Sequence, residues 1–171
     1  MTNNKTLIAY YSRKGQNYVN GGIVNLPVGN TEVIAKKIQS ILGGTLFEID
    51  TVESYPIDYT ETTNVAMNEK SANSRPKLAE TVDNMDLYDV IYLGYPNWWG
   101  TFPMAVSTFL ESYDFSGKTI IPFCTHEGSG MGNSERDIKK LCPDAIVKSG
   151  LAIRGSSVKS SDSMLKSWIV K

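Results

Sequence analysis

The stretch DVIYLGYPNWWG at residues 89–100 carries the strongest structural signal in the chain. Its first half is apolar and rich in β-branched and aromatic residues, which is typical of a buried strand. Its second half places two of the chain's three tryptophans, Trp98 and Trp99, between a proline and a glycine. Two indoles just beyond a strand offer a wall to a flat apolar ligand. The stretch therefore predicts a binding loop at the end of a buried strand.

Apolar β-rich runs alternate with helical patterns on both sides of this stretch. That alternation predicts an α/β fold, a five-stranded parallel sheet with helices on both faces. Pro122 lies in a predicted strand, and we expect it at that strand's last turn, because proline removes a ladder hydrogen bond. The predicted strands are residues 6–11, 45–50, 90–93, 119–123 and 145–153, and the predicted helices are residues 31–42, 62–74, 103–113, 134–141 and 161–170.

Length and composition indicate an ordinary globular protein. We expect a single domain over residues 1–171. The chain has 17 basic and 18 acidic residues, so we expect neither nucleic acid nor a membrane as a partner. The segment before the first strand, residues 1–5, is too short for a signal peptide. One histidine and two cysteines cannot easily build a zinc site, and we expect no metal and a reduced, cytoplasmic protein.

Three glycine-containing loops, residues 12–29, 95–100 and 124–133, follow the first, third and fourth predicted strands. In open parallel sheets, ligands bind beyond the carboxyl ends of the strands, where the strand order reverses. The order 2-1-3-4-5 makes those three strand ends neighbours. The loops are therefore expected to line one crevice.

The first loop begins Ser12-Arg13-Lys14-Gly15 and ends Gly29-Asn30-Thr31, where Asn30 or Thr31 can cap the following helix. Unpaired N–H groups at a helix start favour a phosphate. If residues 16–29 are removed, the two ends join as SRKGNT, which resembles the phosphate loop of flavodoxins. The order of all three loops strengthens this resemblance, and the chain is similar to the bacterial flavodoxins whose first loop carries an insertion.

The resemblance implies a flavodoxin-like fold and an FMN cofactor. It implies that the second loop flanks the flavin ring and that the third loop holds the ring's pyrimidine side. The phosphate contacts it implies are Ser12, Arg13, Lys14, Gly15, Asn17, Asn30 and Thr31. The ring contacts it implies are Pro96, Asn97, Trp98, Trp99, Gly100, Thr125, His126, Glu127, Gly128, Ser129 and Gly130.

Structural alternatives stand beside these assignments. The first loop is also a plausible polar turn before a capped helix, with Arg13 and Lys14 solvated. The two tryptophans could instead anchor the next helix, and neighbouring side chains should diverge, so we expect one indole to pack into the protein or a partner. His126, the only histidine, could deliver a proton, steady the anionic reduced form of a flavin or simply be solvated. We assign no catalytic residue. Tyr55 and Tyr59 could cover the crevice or a dimer surface.

The function predicted from the sequence is that of an FMN-binding redox protein. A flavodoxin-type carrier serving a redox partner protein and an NAD(P)H-dependent quinone or nitro reductase using a small-molecule acceptor both fit. Net charge −1 argues mildly against a dedicated carrier, while no Gly-x-Gly-x-x-Gly follows a strand, so nicotinamide would have to stack on the flavin. A cofactor-free binding module is a further alternative, and a homodimer covering the tryptophan-rich rim is compatible with all three. A signalling receiver and a P-loop NTPase are both excluded, because the acidic residues of the first and the Gly-x-x-x-x-Gly-Lys-Ser/Thr motif of the second are missing.

Overall fold

The computed structural model of the protein describes residues 5–170. Residues 1–4 and 171 lie outside that range, and with them most of the N-terminal segment that we judged too short for a signal peptide. The strands are β1 (Thr6–Tyr10), β2 (Gly15–Val19), β3 (Gly22–Leu26), β4 (Thr45–Glu48), β5 (Val90–Pro96), β6 (Thr119–His126), β7 (Ile146–Val147) and β8 (Leu151–Arg154). The helices are α1 (Asn30–Leu42), α2 (Tyr59–Ser71), α3 (Met104–Glu111), α4 (Ser134–Leu141) and α5 (Asp162–Ile169).

The predicted parallel sheet and its strand order are confirmed. The strands lie in the order β4-β1-β5-β6-β7, all parallel, with β8 also paired to β6. The pair β7 and β8 together occupies the place of the predicted fifth strand. No helix within residues 5–170 is long and apolar enough to cross a membrane.

Strand β1 is buried on both of its faces, as its continuous apolarity indicates. Leu7 and Ala9 join the apolar cluster that includes the buried side chains of α3 and α4. Ile8 and Tyr10 join the opposite cluster, with the buried side chains of α1 and α5. Alternate side chains of one strand thus fill two separate layers, and this places the carboxyl end of β1 in the middle of the sheet.

The expectation that Pro122 ends its strand is wrong, because β6 continues through His126. Residue 120 directs its carbonyl towards the outer edge of the sheet, where it accepts from the N–H of Lys148. Polar backbone groups alternate sides along a strand, so the position of the missing N–H at Pro122 also faces that edge. The outer strand is interrupted there, between β7 and β8. At this break, the described part of the chain has no strand residue whose carbonyl would need the N–H that Pro122 lacks.

We expected residues 12–29 to form a loop without strands. They contain an antiparallel hairpin of β2 and β3 instead. Its turn consists of Asn20 and Gly21, which have φ values of 50° and 87°. Two consecutive residues with positive φ fit the tight turn whose twist suits a hairpin, and Asn-Gly is its favoured sequence. The Asn-Gly pair was therefore a signal for this hairpin that the sequence analysis did not use.

Neither Asn30 nor Thr31 caps α1, contrary to expectation. Gly29 is the N-cap and makes no side-chain bond, while the Ser12 hydroxyl accepts from the Glu32 N–H at 3.0 Å. The cap therefore comes from the other end of the insertion. A Cβ on Gly29 would overlap the Ser12 hydroxyl and lie 2.6 Å from the Arg13 carbonyl oxygen, so the two ends of the insertion meet in direct contact.

Three element boundaries also differ from the predicted ones. Strand β5 extends through Pro96 and β6 through His126, so these positions lie in strands rather than in loops. Helix α2 begins three residues earlier than predicted. The Asp58 side chain caps it by accepting from the Glu61 N–H at 2.8 Å, and Asp-x-x-Glu is a recognisable start signal.

Replacing Gly94 with alanine should destabilise the protein, because a Cβ there would overlap the Phe123 ring. Overpacking of this kind costs about 1–3 kcal/mol of unfolding free energy. Urea unfolding followed by tryptophan fluorescence measures it. Gly22→Ala is the matched control, since no atom lies within 4 Å of its added Cβ, and it should change stability by less than about 0.5 kcal/mol. Equal stabilities of the two variants would contradict the packing described.

Candidate functional site

The carboxyl ends of β1, β5 and β6 meet at a cavity of about 200 Å³, which we call the crevice. A second cavity of about 270 Å³, which we call the slot, lies against it and shares five lining residues with it. Two larger and more open hollows, of about 650 and 970 Å³, contain none of the predicted site residues. The crevice is lined by Arg13, Asn17, Tyr18, Asn30, Thr31, Tyr59, Pro96, Asn97, Trp98, Thr125, His126, Glu127 and Ser129. The slot is lined by Arg13, Asn17, Tyr59, Thr62, Thr63, Ala66, Asn97, Trp98 and Trp99.

Most of the residues predicted from the three loops are therefore brought together. Those that line neither cavity are Ser12, Lys14, Gly15, Gly100, Gly128 and Gly130. Two of these hold the walls in place through Asn97, whose side chain accepts from the Gly100 N–H and donates to the Gly130 carbonyl. Asn97 thus joins the second loop to the third, which makes the crevice one structure rather than three separate loops.

The start of α1 offers a group of unpaired donors beside the crevice. Within residues 5–170, no acceptor receives the backbone N–H groups of Ser12, Arg13, Lys14, Asn30 and Thr31. The first N–H groups of a helix point beyond its N-terminus, where the helix dipole is positive. Successive loop amides add to the same field. The arrangement suits an anion that is bound by backbone rather than by charged side chains.

The hydroxyl of Thr31, which the sequence analysis assigned to phosphate, is already engaged. It lies 2.8 Å from the hydroxyl of Thr125, and both residues are buried. The bond fixes the first turn of α1 to the end of β6. Thr31 therefore contributes to the site by holding two of its three strand ends together.

The side chain of Arg13 is also committed to the protein. Its guanidinium donates to the carbonyls of Gln16, Pro56 and Ile57. The side chain of Asn17 donates to the Arg13 carbonyl at 2.9 Å. These bonds fix β2 to the segment before α2 and satisfy most of the polar groups in this part of the wall.

The two tryptophans occupy different environments, as expected for neighbouring side chains. Trp98 packs into the protein, with its ring edge-on to Tyr11 at 5.2 Å and to Tyr55 at 5.1 Å between centroids. Trp99 is 44% exposed, and its indole N–H donates to the Thr63 carbonyl of α2 at 2.9 Å. Trp98 lines both cavities, whereas Trp99 lines only the slot.

Trp99 and Gly100 have φ values of 55° and 84°, and the N–H groups of Trp98 and Thr101 each bond to the other's carbonyl. This resembles the Asn20-Gly21 turn, but a tryptophan stands where asparagine or glycine is preferred. A bulky residue with positive φ is an outlier that costs of order 1–3 kcal/mol. This strained backbone conformation places the Trp99 indole over α2 and against the slot.

The hairpin and α2 form a roof over the crevice that the sequence analysis did not foresee. The rings of Tyr18 and Tyr59 stack at 6.4 Å, and the Gln16 side chain accepts from the Tyr59 N–H. At the hairpin tip, the Asn20 N–H donates to the Glu127 carboxylate at 3.2 Å. Tyr59 was considered as cover for the crevice, while Tyr18 was not. The Asn-Gly turn could have indicated a hairpin here, but not its position over the crevice.

His126 and Glu127 lie at the end of β6. The His126 Nδ1 accepts from the Gly128 N–H at 2.8 Å, and burial, followed by the nearby Arg154 charge, lowers the pKa of the imidazole. Both effects favour the neutral ring, with its proton on Nε2. One carboxylate oxygen of Glu127, Oε1, is buried and has no hydrogen-bond partner among the described residues. This oxygen lies against Gly155, where an added Cβ would overlap it, so it is enclosed by the protein.

Comparisons with known proteins identify a family model and several solved structures that the chain matches. The flavodoxin family model matches residues 24–171, from the second hairpin strand onward. A candidate flavoprotein from Bacteroides uniformis is 31% identical over 98% of this chain and 99% of its own, with a TM-score of 0.77. A candidate flavoprotein from Bacteroides eggerthii is 29% identical over 96% of this chain and 99% of its own, with a TM-score of 0.71.

A flavoprotein from Lactobacillus acidophilus, solved in complex with FMN, shares the fold. It is 24% identical over 94% of this chain and 99% of its own, with a TM-score of 0.67. No curated protein matches the chain. Each of the three structures covers at least 94% of the chain, and therefore most of residues 1–23, which the family model leaves out.

Trp99→Gly should be more stable than Trp99→Ala, although both lose the indole. Positive φ costs an alanine about 1–2 kcal/mol and a glycine almost nothing, so we expect a gap of about 1 kcal/mol in unfolding free energy. Urea unfolding measures it. At Trp98, where φ is not positive, the order should reverse. The same order at both positions would show that the turn is not strained.

Lowering the pH should destabilise the protein through His126. Its pKa lies below that of an unfolded histidine, so between the two values the unfolded chain binds more protons. This contribution to stability is present above about pH 6.5 and is lost as the pH falls towards the folded-state pKa. His126→Asn keeps an acceptor without a titrating ring. The slope of unfolding free energy against pH should decrease in this variant, and an unchanged slope would contradict the assignment.

Proposed function

Because the chain belongs to the flavodoxin family, we propose that it binds FMN and acts as a redox protein. One observation carries the proposal, the group of unpaired N–H donors at the start of α1 beside a crevice walled by Trp98. A phosphate and a flat ring are the two ends of FMN, and these are the two kinds of surface that the crevice provides. The FMN complex of the Lactobacillus acidophilus flavoprotein supports the same cofactor.

The residues present fit this cofactor, but the phosphate contacts that we propose come from backbone groups rather than from the expected side chains. We propose that backbone amides of the first loop and α1 hold the phosphate, since the side chains of Ser12, Arg13 and Thr31 already bond within the protein. Lys14, Gly15, Asn17 and Asn30 complete the set proposed for the phosphate end. The set proposed for the ring comprises Pro96, Asn97, Trp98, Trp99, Gly100, Thr125, His126, Glu127, Gly128, Ser129 and Gly130.

FMN, when bound, supplies the capacity to accept and release electrons, and the chain's own residues would orient it and control its surroundings. Trp98 would position the ring, and the stacked Tyr18 and Tyr59 would limit the access of water. The neutral His126 would donate a hydrogen bond from Nε2 without adding a full charge. We assign it this role rather than delivery of a proton, because its lowered pKa disfavours the imidazolium.

Between a carrier and a reductase, the structure favours a small-molecule acceptor. A slot of about 270 Å³ lies directly against the crevice, whereas a carrier needs only an accessible edge of the ring. A carrier that serves a redox partner protein is the second candidate. We further propose a single domain in the cytoplasm, supported by the fact that Cys124 and Cys142 are both free and buried. A homodimer through the exposed Trp99 belongs to the same proposal.

Purified protein should be yellow, with flavin absorbance bands, or should become yellow when FMN is added. Trp98→Ala should weaken FMN by about tenfold, because aromatic stacking adds about 0.5–1.5 kcal/mol to the burial of area. Quenching of FMN fluorescence measures the affinity. Trp168→Ala is the control, since Trp168 packs against Tyr92 in the opposite layer. Protein that stays colourless with excess FMN would contradict the proposal.

The reductase and carrier alternatives separate in a steady-state assay. Holoprotein that oxidises NADPH or NADH with a quinone is a reductase. Absence of turnover with any small-molecule acceptor would leave only the carrier.

A further inference from the structure

The slot between the second loop and α2 extends beyond the crevice, although the two cavities share five lining residues and Trp99 lines only the slot. It is lined by the second loop, by the first two turns of α2 and by Arg13 and Asn17. None of the third-loop residues, which are proposed to hold the flavin ring, lines it. The slot therefore extends the site away from β6, on the far side of Trp98.

We propose that the slot binds a second ligand, an uncharged planar molecule of one or two rings that accepts electrons from the bound cofactor. A quinone or a nitroaromatic compound belongs to this class. The inference rests on the proposed FMN-binding function and adds to it the class of substrate and the place where that substrate binds.

Most of the polar side chains around the slot already bond within the protein, which leaves its surface mainly apolar. The Thr62 hydroxyl donates to the Pro56 carbonyl at 2.8 Å, and the Thr63 hydroxyl donates to the Thr60 carbonyl at 2.7 Å. Trp99 uses its indole N–H on Thr63. Polar ligands such as sugars need unpaired partners, and these side chains offer few. The remaining surface consists of two indoles, a tyrosine ring, an alanine and the methyl groups of the threonines.

The charges around the slot exclude other ligand classes. Among residues 5–170, no carboxylate lines the slot, and the one cationic side chain that does, Arg13, already donates to three carbonyls. An organic cation would find no carboxylate to neutralise its charge. The phosphates of a dinucleotide would find no cationic side chain that is not already bonded. An uncharged ligand meets neither penalty.

The size of the slot limits the ligand further. Pockets for drug-sized molecules usually measure roughly 300–1,000 Å³, and the slot measures about 270 Å³. The slot therefore suits a ligand of one or two aromatic rings that lies beside the cofactor. The five residues shared with the crevice would keep such a ligand beside the cofactor.

Backbone strain at Trp99 gives an independent reason to regard the slot as functional. Its φ of 55° places the second indole against the slot, and a glycine or asparagine would form the same turn at lower cost. Strained backbone is retained mainly where a site requires it. The same conformation lets the Trp99 indole N–H reach the Thr63 carbonyl of α2, so the strained residue joins the second loop to the helix that forms the other wall of the slot.

For a quinone, turnover moves two electrons and two protons from the reduced cofactor to the two carbonyl oxygens, which gives a hydroquinone and the oxidised cofactor. A reduced nicotinamide dinucleotide, together with one proton from solvent, restores the reduced cofactor. The atoms and electrons of the cycle therefore balance with these two co-reactants.

Binding can be tested on oxidised holoprotein, in which no turnover occurs. Duroquinone is a suitable probe, because its ring carries methyl groups at every open position and does not alkylate thiols. A titration followed by proton–nitrogen correlation NMR should shift the indole signals of Trp98 and Trp99 saturably. The Trp168 signal should stay in place, because that residue lies in the opposite layer.

Two variants should fill the slot from α2. Thr63→Phe and Ala66→Leu should each weaken duroquinone by at least about tenfold, since a pocket that loses the space for a few carbons loses about that much affinity. FMN affinity should stay within about threefold, well under the 1.4 kcal/mol of a tenfold change. Val65→Leu is the matched control, because Val65 is partly exposed on the same helix and lines neither the slot nor the crevice.

Each other outcome overturns the inference. A shift of all three indoles, or unchanged affinity in both filled variants, would mean that duroquinone does not bind in the slot. Loss of FMN affinity in a folded Thr63→Phe variant would mean that the flavin itself occupies the slot, and the proposed cofactor would survive. Failure of the wild-type protein to bind FMN would instead remove the proposed function.

Discussion

The contact between Gly29 and the backbone of Arg13 is the constraint on which the site depends. It brings both ends of a long insertion to the same point, so the insertion leaves the sheet and returns without displacing α1. Because Ser12 then caps the helix from outside, the adjoining amides stay unpaired. A residue with a side chain at position 29 would separate the two ends. The donors, the cap and the roof would then lose their common support.

The sequence predicts the parts of the structure that arise from local pattern. Continuous apolarity identified β1 as buried on both faces, whereas the neighbouring positions of β1, β5 and β6 came from the flavodoxin-like strand order 2-1-3-4-5. Other features depend on pairing between segments that are distant in sequence. The position of Tyr18 over the crevice needs the hairpin to reach α2, and no local pattern encodes that. The place of Pro122 inside β6 likewise depends on a break in a strand about 25 residues further along.

Two turns of the protein have the same backbone geometry but differ in how well their sequences suit it. Asn20-Gly21 has the sequence that the turn prefers, and it closes the hairpin without strain. Trp98–Thr101 has nearly the same pair of φ values but carries a tryptophan. At the first turn, local preference and global structure agree. At the second turn, local preference and global structure conflict. This turn lies against the slot, where the large aromatic surface of the tryptophan offsets a less stable backbone.

The break between β7 and β8 has a consequence for the behaviour of the protein at high concentration. An unbroken outer strand would present a continuous row of donors and acceptors to another chain, and such rows seed edge-to-edge association. Here the row is divided into segments of two and four residues, neither of which is long enough to template a foreign strand. The proline that removes a backbone donor from β6 therefore coincides with an edge that resists aggregation.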